Sequence, residues 1–92
     1  MKKITMLKME GCPYCLQAFS AIKEIKSNPD YADVEVEIID KYEQRELAGN
    51  FAGKYYYVPS MFVDGEKIYE AHPGESYGEC LHSVKKVFQA AL

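Results

Sequence analysis

The chain has 92 residues, of which 48% are hydrophobic, and its 14 acidic and 11 basic residues give a net charge of −3. This length and composition suit one globular domain with its own core and exclude a disordered segment. The acidic balance, with no basic block, gives no indication of nucleic-acid binding. Lys8 and Glu10 interrupt the N-terminal apolar stretch, so we expect neither a signal peptide nor a membrane span. Three cysteines suit a reducing, cytoplasmic setting better than a disulfide-stapled secreted domain.

The first half of the chain predicts a strand, a helix and a second strand. Residues 3–9 form a nearly continuous apolar run, which is typical of a buried strand. A helix is predicted from Pro13 to about Ser27, ended by Asn28 and Pro29. Apolar and acidic residues then alternate, which predicts a strand with one wet face, and we interpret the acidic residues from 33 to 40 as that solvated face. The apolar residues at helical spacing are Leu16, Phe19, Ile22 and Ile25, and those of the strand are Val34, Val36 and Ile38.

The second half predicts a weak helix, a hairpin and a strong helix. Residues 43–52 form the weak helix, because Gly49 and Gly53 lower its helix propensity. Residues 61–63 and 67–69 flank a tight turn and predict a β-hairpin. Ser76 and Glu79 have the spacing of a capping box at the start of the last helix, whose expected buried stripe is Tyr77, Leu81, Val84 and Phe88. The order βαβαββα predicts an α/β fold, with a mixed four-stranded sheet, a parallel first pair and three helices distributed over both faces.

Between the first strand and the first helix stands the sequence Cys12, Pro13, Tyr14, Cys15. Two thiols one helical turn apart can close a disulfide with little backbone movement. A cysteine in the first turn also faces the positive end of the helix dipole and unpaired N–H groups, which favour the thiolate. The thiolate is the nucleophile in thiol–disulfide exchange. A Cys-x-x-Cys pair between a strand and a helix therefore predicts a redox site.

Two other interpretations of this pair are weaker. A structural zinc site needs four ligands, and the remaining candidates, Cys80, His72 and His82, do not form a second matched pair, so no metal is predicted. A permanent disulfide across four residues would constrain the unfolded chain little. Cys80 itself is expected to be a small buried hydrophobe, with regulation by oxidation as the alternative.

The Cys-Pro-Tyr-Cys sequence at residues 12–15, Val58-Pro59 before the third strand and the hairpin at residues 62–65 resemble a glutaredoxin of the dithiol type. The resemblance covers essentially the whole chain as a single domain, residues 1–92. The resemblance implies a thioredoxin-like fold, an exposed nucleophile at Cys12 and a more buried resolving thiol at Cys15. It also implies a cis Val58–Pro59 peptide bond that presents the Val58 backbone to an extended substrate. An ordinary strand-start proline is the alternative. The implied activity is that of a monomer with no bound cofactor, which uses glutathione as co-substrate and reduces a disulfide-containing protein or a glutathione mixed disulfide.

The sequence departs from the family pattern where glutathione is held. Met9 stands where the family usually has a base, which leaves Lys8 as the nearest candidate. Glu75 and Ser76, at the start of the last helix, are candidates for the missing aspartate, because a helix N-terminus favours a carboxylate ligand. Tyrosines at 55–57 replace the usual polar residues. Either they form a wall beside the dithiol or one or two of them simply pack within the protein, and weaker glutathione binding is expected. The predicted substrate-binding residues are Lys8, Pro13, Tyr14, Tyr57, Val58, Pro59, Glu75 and Ser76.

Two alternative functions stay open at this point. One is a thioredoxin-like reductant that a flavin reductase recycles without glutathione. The other, of a different class, is a module that holds an iron–sulfur cluster between two chains. Pro13 and the presence of the second cysteine disfavour the cluster.

Overall fold

The computed structural model describes all 92 residues, from Met1 to Leu92. Seven elements follow in the predicted order, which confirms βαβαββα. They are β1 (Ile4–Lys8), α1 (Pro13–Lys26), β2 (Val36–Asp40), α2 (Arg45–Gly49), β3 (Ser60–Val63), β4 (Glu66–Glu70) and α3 (Tyr77–Ala91). The prediction of a helix over residues 43–52 was too long. Gln44 provides no side-chain cap, and after Gly49 the N–H groups of residues 50–52 bond to carbonyls three residues back, which is not the α-helical pattern.

The four strands form one sheet in the order β2-β1-β3-β4. β1 pairs with β2 in parallel and with β3 in antiparallel orientation, and β3 pairs with β4 in antiparallel orientation. The hairpin turn places Asp64 at φ 52° and Gly65 at φ 78°, the left-handed conformation that a two-residue hairpin loop requires. The predicted mixed sheet is confirmed.

Helices cover both faces of the sheet and create two cores. On one face Ile4 and Met6 of β1 pack with buried residues of α1 and α3. On the other face Leu7 of β1 packs with Phe62 of β3 and Ala48 of α2. Alternate residues of β1 thus face opposite cores, which explains its nearly continuous apolar sequence.

Of the four apolar residues at helical spacing in α1, Ile25 is buried and Phe19 and Ile22 pack against the core, whereas Leu16 does not. Leu16 is 67% exposed, whereas Ala18 and Ala21 are fully buried. α1 packs against α3, and the short alanine side chains let the two helix backbones approach closely. The buried stripe of α1 is Cys15, Ala18, Ala21 and Ile25.

α3 begins with the predicted capping box, in which Ser76 accepts from the Glu79 N–H and Glu79 reaches back to the Ser76 N–H. Cys80 is fully buried, as expected of a small hydrophobe. The expectation that Tyr77 is buried was wrong: its ring is 36% exposed and its hydroxyl donates to the Glu24 carboxylate. None of the helices combines the length and the apolar character that crossing a membrane requires.

Candidate active site

The two cysteines of the motif lie where β1 leads into α1. Gly11, with a φ of 73°, makes the turn out of the strand, and Cys12 is the N-cap of the helix. Pro13 occupies the first helical turn, where its lack of an N–H costs no hydrogen bond. Cys15 lies one turn into the helix, on its buried face. Both cysteines are free thiols.

Cys12 uses its sulfur atom as the helix cap. The Cys15 N–H donates to Cys12 Sγ over 3.1 Å, and as a thiol Cys12 donates to the Val58 carbonyl oxygen over 3.7 Å. An N–H donor and the positive end of the helix dipole both stabilise negative charge on this sulfur. The expectation of an exposed nucleophile was wrong, because the sulfur folds back over the helix end beneath Val58 and leaves Cys12 only 4% exposed.

Cys15 is in a different electrostatic environment. Burial raises the pKa of the Cys15 thiol to about 12, and its hydrogen bonding with Cys12 raises it further in the same direction. The residue is 2% exposed. At neutral pH Cys15 is therefore a protonated thiol, and its N–H donates to Cys12 Sγ.

The peptide bond between Val58 and Pro59 is cis, which confirms the expectation drawn from the resemblance. It lies at the end of a loop without helix or strand, residues 53–59, that we call the cis-proline loop. The Ser60 hydroxyl donates to the Tyr57 carbonyl oxygen over 2.6 Å. These contacts set the Val58 carbonyl against Cys12 at the surface of the protein.

The three tyrosines of this loop do not form one continuous wall. Tyr55 packs against the core on the α2 face, whereas Tyr56 is 82% exposed and Tyr57 is 45% exposed. The rings of Tyr56 and Tyr57 meet edge to face with their centroids 4.9 Å apart. Only Tyr56 and Tyr57 therefore offer aromatic surface to a partner.

Tyr14, between the cysteines, was expected to face a substrate. Its side chain is instead half-buried against the main core, and its hydroxyl accepts the Gly74 N–H over 2.7 Å. This hydrogen bond ties the Cys-x-x-Cys segment to the loop that precedes α3. Pro13, in contrast, is exposed.

Lys8 ends β1 directly opposite Asp40, the last residue of β2. The Lys8 ammonium lies 3.2 Å from carboxylate oxygens of both Asp40 and Glu10. The hydrogen bond with Asp40, followed by that with Glu10, raises the pKa of Lys8. Lys8 is thus already paired with two carboxylates of its own chain.

The interpretation of Asp40 as part of a solvated face was wrong. Asp40 is only 4% exposed, and its Oδ1 accepts the N–H groups of Tyr42 and Glu43. The Glu43 N–H, followed by the Tyr42 N–H, holds the pKa of the Asp40 carboxyl below its usual range, and Lys8 adds to this effect. The register of the parallel strands explains the burial, because it places Asp40 against Lys8.

Glu75 and Ser76 both direct their side chains to other groups of the protein. Glu75 is 6% exposed, and its carboxylate accepts the Tyr69 hydroxyl over 2.6 Å. The Tyr69 oxygen also lies 3.5 Å from Cys80 Sγ. Ser76 is occupied by the capping box. The structure therefore brings Cys12, Cys15, Val58 and Pro59 together, and it leaves the Glu75 carboxylate inside the protein.

Sequence reasoning missed one residue of this region, Glu70 at the end of β4. Its Oε2 accepts the N–H groups of Tyr56 and Tyr57, and its Oε1 pairs with Lys67. No local motif identifies this contact, since it joins residues 13 and 14 positions apart. No group of three or more His, Cys, Asp or Glu side chains is placed to hold a metal ion.

No protein-family model and no curated protein matches this chain. Among solved structures, a mutant of the thioredoxin-like protein BC3987 superposes with a TM-score of 0.64 at 16% identity, over 92% of this chain and 97% of that one. Thioredoxin 1 from Thermosipho africanus superposes with a TM-score of 0.58 at 20% identity, over 96% of each chain. Glutaredoxin 1 from Francisella tularensis is 25% identical over 97% of this chain and 99% of its own, but it superposes with a TM-score of only 0.48. These likenesses establish the fold, and the chain is a protein of the thioredoxin-like fold.

Proposed function

We propose that the chain is a thiol–disulfide oxidoreductase that reduces disulfides in proteins, or glutathione mixed disulfides, through Cys12 and Cys15. The observation that carries this proposal is the cap of α1, where the Cys15 N–H donates to Cys12 Sγ over 3.1 Å. This contact places an N–H donor and the start of α1 against one sulfur, while burial keeps the other sulfur protonated. A dithiol with two distinct roles needs this asymmetry.

In the first step the Cys12 thiolate attacks one sulfur of the substrate disulfide. A bond forms between Cys12 and that sulfur, the substrate S–S bond breaks, and the leaving thiolate takes a proton from solvent. In the second step Cys15 gives its proton to solvent and attacks Cys12 Sγ. The bond between Cys12 and the substrate sulfur breaks, and that sulfur leaves as a thiolate, which takes a proton from solvent. The protein ends as the Cys12–Cys15 disulfide, and two electrons have passed from it to the substrate.

The cis-proline loop supports an extended peptide as the substrate. Val58 presents its carbonyl group 3.7 Å from Cys12 Sγ, and an extended chain laid beside it has backbone N–H groups to donate. The exposed rings of Tyr56 and Tyr57 stand beside this edge and offer apolar contact. A peptide disulfide can use all of these groups.

Glutathione would find fewer partners. Lys8 is paired with Asp40 and Glu10, and the Glu75 carboxylate is buried against Tyr69. A charge-assisted hydrogen bond to a ligand carboxylate contributes about 1.5–3 kcal/mol, so the loss of one weakens binding roughly tenfold or more. We therefore infer that a protein disulfide is the better substrate.

Reduction of insulin, followed as the oxidised protein is recycled, tests the proposal. Cys12→Ser should abolish turnover, Cys15→Ser should leave a mixed disulfide trapped on Cys12, and Cys80→Ser should change the rate by less than twofold. Recycling by glutathione with glutathione reductase is compared with recycling by thioredoxin reductase, which identifies the electron donor. Full activity of Cys12→Ser, or no turnover with either donor, would refute the proposed function.

A further inference from the structure

Glu70 is half-buried at the end of β4, opposite Ser60 of β3. We propose that Glu70 is a positioning residue for the substrate edge: its carboxylate fixes the Tyr56–Tyr57 backbone and so holds Val58 against Cys12. The inference rests on the proposed function and names a residue outside the dithiol on which selection of peptide substrates depends.

The carboxylate holds two consecutive peptide groups. Glu70 Oε2 accepts the Tyr56 N–H over 2.6 Å and the Tyr57 N–H over 2.5 Å. Both hydrogen bonds are charge-assisted, and such bonds are roughly twice as strong as neutral ones. Lys67 pairs with the second oxygen and fixes the orientation of the carboxylate.

The Tyr57 residue is held from both sides. Glu70 binds its N–H, and the Ser60 hydroxyl binds its carbonyl oxygen over 2.6 Å. The next residue is Val58, whose carbonyl oxygen lies 3.7 Å from Cys12 Sγ. Consecutive Cα atoms are only about 3–4 Å apart, so a shift at Tyr57 reaches Val58 directly.

Few other contacts hold Tyr56 and Tyr57, which lie between Tyr55 and Val58, two residues that pack against the core on the α2 face. The rings of Tyr56 and Tyr57 are largely exposed, so packing does not fix their backbone. Residues 55–58 make no backbone–backbone hydrogen bond outside helices and strands, and they belong to neither. Glu70 and Ser60 are therefore the polar side chains that set the position of this segment.

This arrangement predicts an effect that depends on the substrate. An extended peptide disulfide pairs with the Val58 backbone and needs the loop in one position. A small disulfide such as bis(2-hydroxyethyl) disulfide needs only access to Cys12. Loss of the Glu70 contact should therefore raise the KM for insulin and leave its kcat nearly unchanged, whereas the small disulfide should be reduced at least as fast, because a displaced Val58 covers Cys12 less.

Three variants separate the hydrogen bonds from the charge. Glu70→Ala removes both, Glu70→Gln removes the charge but keeps an acceptor oxygen, and Glu66→Gln is the matched control, an exposed glutamate on the same strand. Amide hydrogen exchange should show roughly tenfold less protection at Tyr56 and Tyr57 in Glu70→Ala, which corresponds to about 1.4 kcal/mol. Glu70→Gln should retain much of the protection, and Glu66→Gln all of it.

In the activity assay, Glu70→Ala should raise the KM for insulin roughly tenfold with kcat within twofold, and Glu70→Gln should raise it less. Unchanged amide protection, an unchanged KM for insulin, or equal losses with insulin and the small disulfide would each overturn the proposal. Urea unfolding of every variant shows whether a loss of activity results only from a loss of stability of the folded protein.

If the wild-type chain reduces neither substrate, the proposed function fails while the role of Glu70 stays measurable. Alkylation of Cys12 by iodoacetamide then reports the position of Val58, which covers this sulfur. Glu70→Ala should react several times faster than Glu70→Gln, and since both lack the charge, the difference belongs to the hydrogen bonds. Equal rates in the two variants would overturn the positioning role.

Discussion

Two cysteines of nearly equal exposure, 4% for Cys12 and 2% for Cys15, differ in what surrounds their sulfur atoms. Cys12 Sγ accepts the Cys15 N–H at the start of α1, whereas burial raises the pKa of the Cys15 thiol to about 12. Accessible area therefore does not distinguish the proposed nucleophile, Cys12, from the proposed resolving thiol, Cys15. The local hydrogen bonding and desolvation do.

This difference predicts the order of alkylation. Treatment of the reduced protein with iodoacetamide at pH 7 should modify Cys12 first, because the thiolate is the reactive form and Cys15 is almost wholly protonated at that pH. Cys80 should stay unmodified, since it is fully buried and burial raises the pKa of its thiol. Peptide mass spectrometry over time measures the order. Modification of Cys15 or Cys80 before Cys12 would contradict the assignment.

Tyr14 illustrates a residue of the motif that stabilises the site. Tyr14→Phe removes the hydroxyl that accepts the Gly74 N–H and should lower the free energy of unfolding by about 0.5–1.5 kcal/mol. Tyr56→Phe is the matched control, because the Tyr56 hydroxyl has no hydrogen-bond partner in the protein and its ring is 82% exposed. Urea unfolding of both variants compares them. Equal stability of the two variants would show that the Tyr14 hydrogen bond contributes nothing.

At the level of elements, the sequence predicts order and type better than it predicts which face is buried. The hairpin turn and the capping box of α3 are local signals, and both are found at the predicted residues. The buried face of α1 depends on how closely α1 approaches α3. The spacing of apolar residues in the sequence gives no information on that distance. Leu16 stands out in the sequence and is exposed, whereas Ala18 and Ala21 are inconspicuous and lie in the core.

The close approach of α1 and α3 can be tested by changing the volume of a side chain between the two helices. Ala21→Leu inserts a large side chain at a fully buried position and should destabilise the protein by about 1–3 kcal/mol. Leu16→Ala truncates a side chain that is 67% exposed and should change stability by no more than about 0.5 kcal/mol. Thermal unfolding measures both. A larger loss for Leu16→Ala than for Ala21→Leu would mean that the opposite face of α1 is buried.

At the scale of the whole molecule, the local part of the candidate site could be predicted and the long-range part could not. The dithiol is contiguous in sequence, and the cis Val58–Pro59 bond follows from resemblance to a family. The Tyr56 and Tyr57 N–H groups that Glu70 binds, and the Lys8 ammonium that pairs with Asp40, come from distant parts of the chain, and only the fold brings them together. An acidic side chain in a strand has the same sequence signature whether it faces solvent or binds backbone N–H groups.

Three carboxylates that accept backbone N–H groups couple stability to pH. Asp40, Glu70 and Glu79 each have a pKa below the usual range. The largest cause of the lower pKa is the Glu43 N–H for Asp40 and the Ser76 N–H for Glu79. Burial raises the pKa of Glu70, but Lys67 and the two loop N–H groups lower it by more. A carboxyl whose pKa is lower in the folded state contributes stability above its unfolded value, about 4, and that contribution is lost as the pH falls through the folded value.

Asp40→Asn tests this coupling where the carboxylate is most buried. The variant should be less stable than the wild type at pH 7, because it loses the ion pair with Lys8. Its stability should also fall less between pH 7 and pH 3, because position 40 no longer takes up a proton on unfolding. Asp33→Asn, at an exposed aspartate of the same acidic stretch, should match the wild type at both pH values. Urea titrations at the two pH values measure the free energy of unfolding. If it falls between pH 7 and pH 3 as much in Asp40→Asn as in the wild type, this carboxylate does not contribute to the coupling.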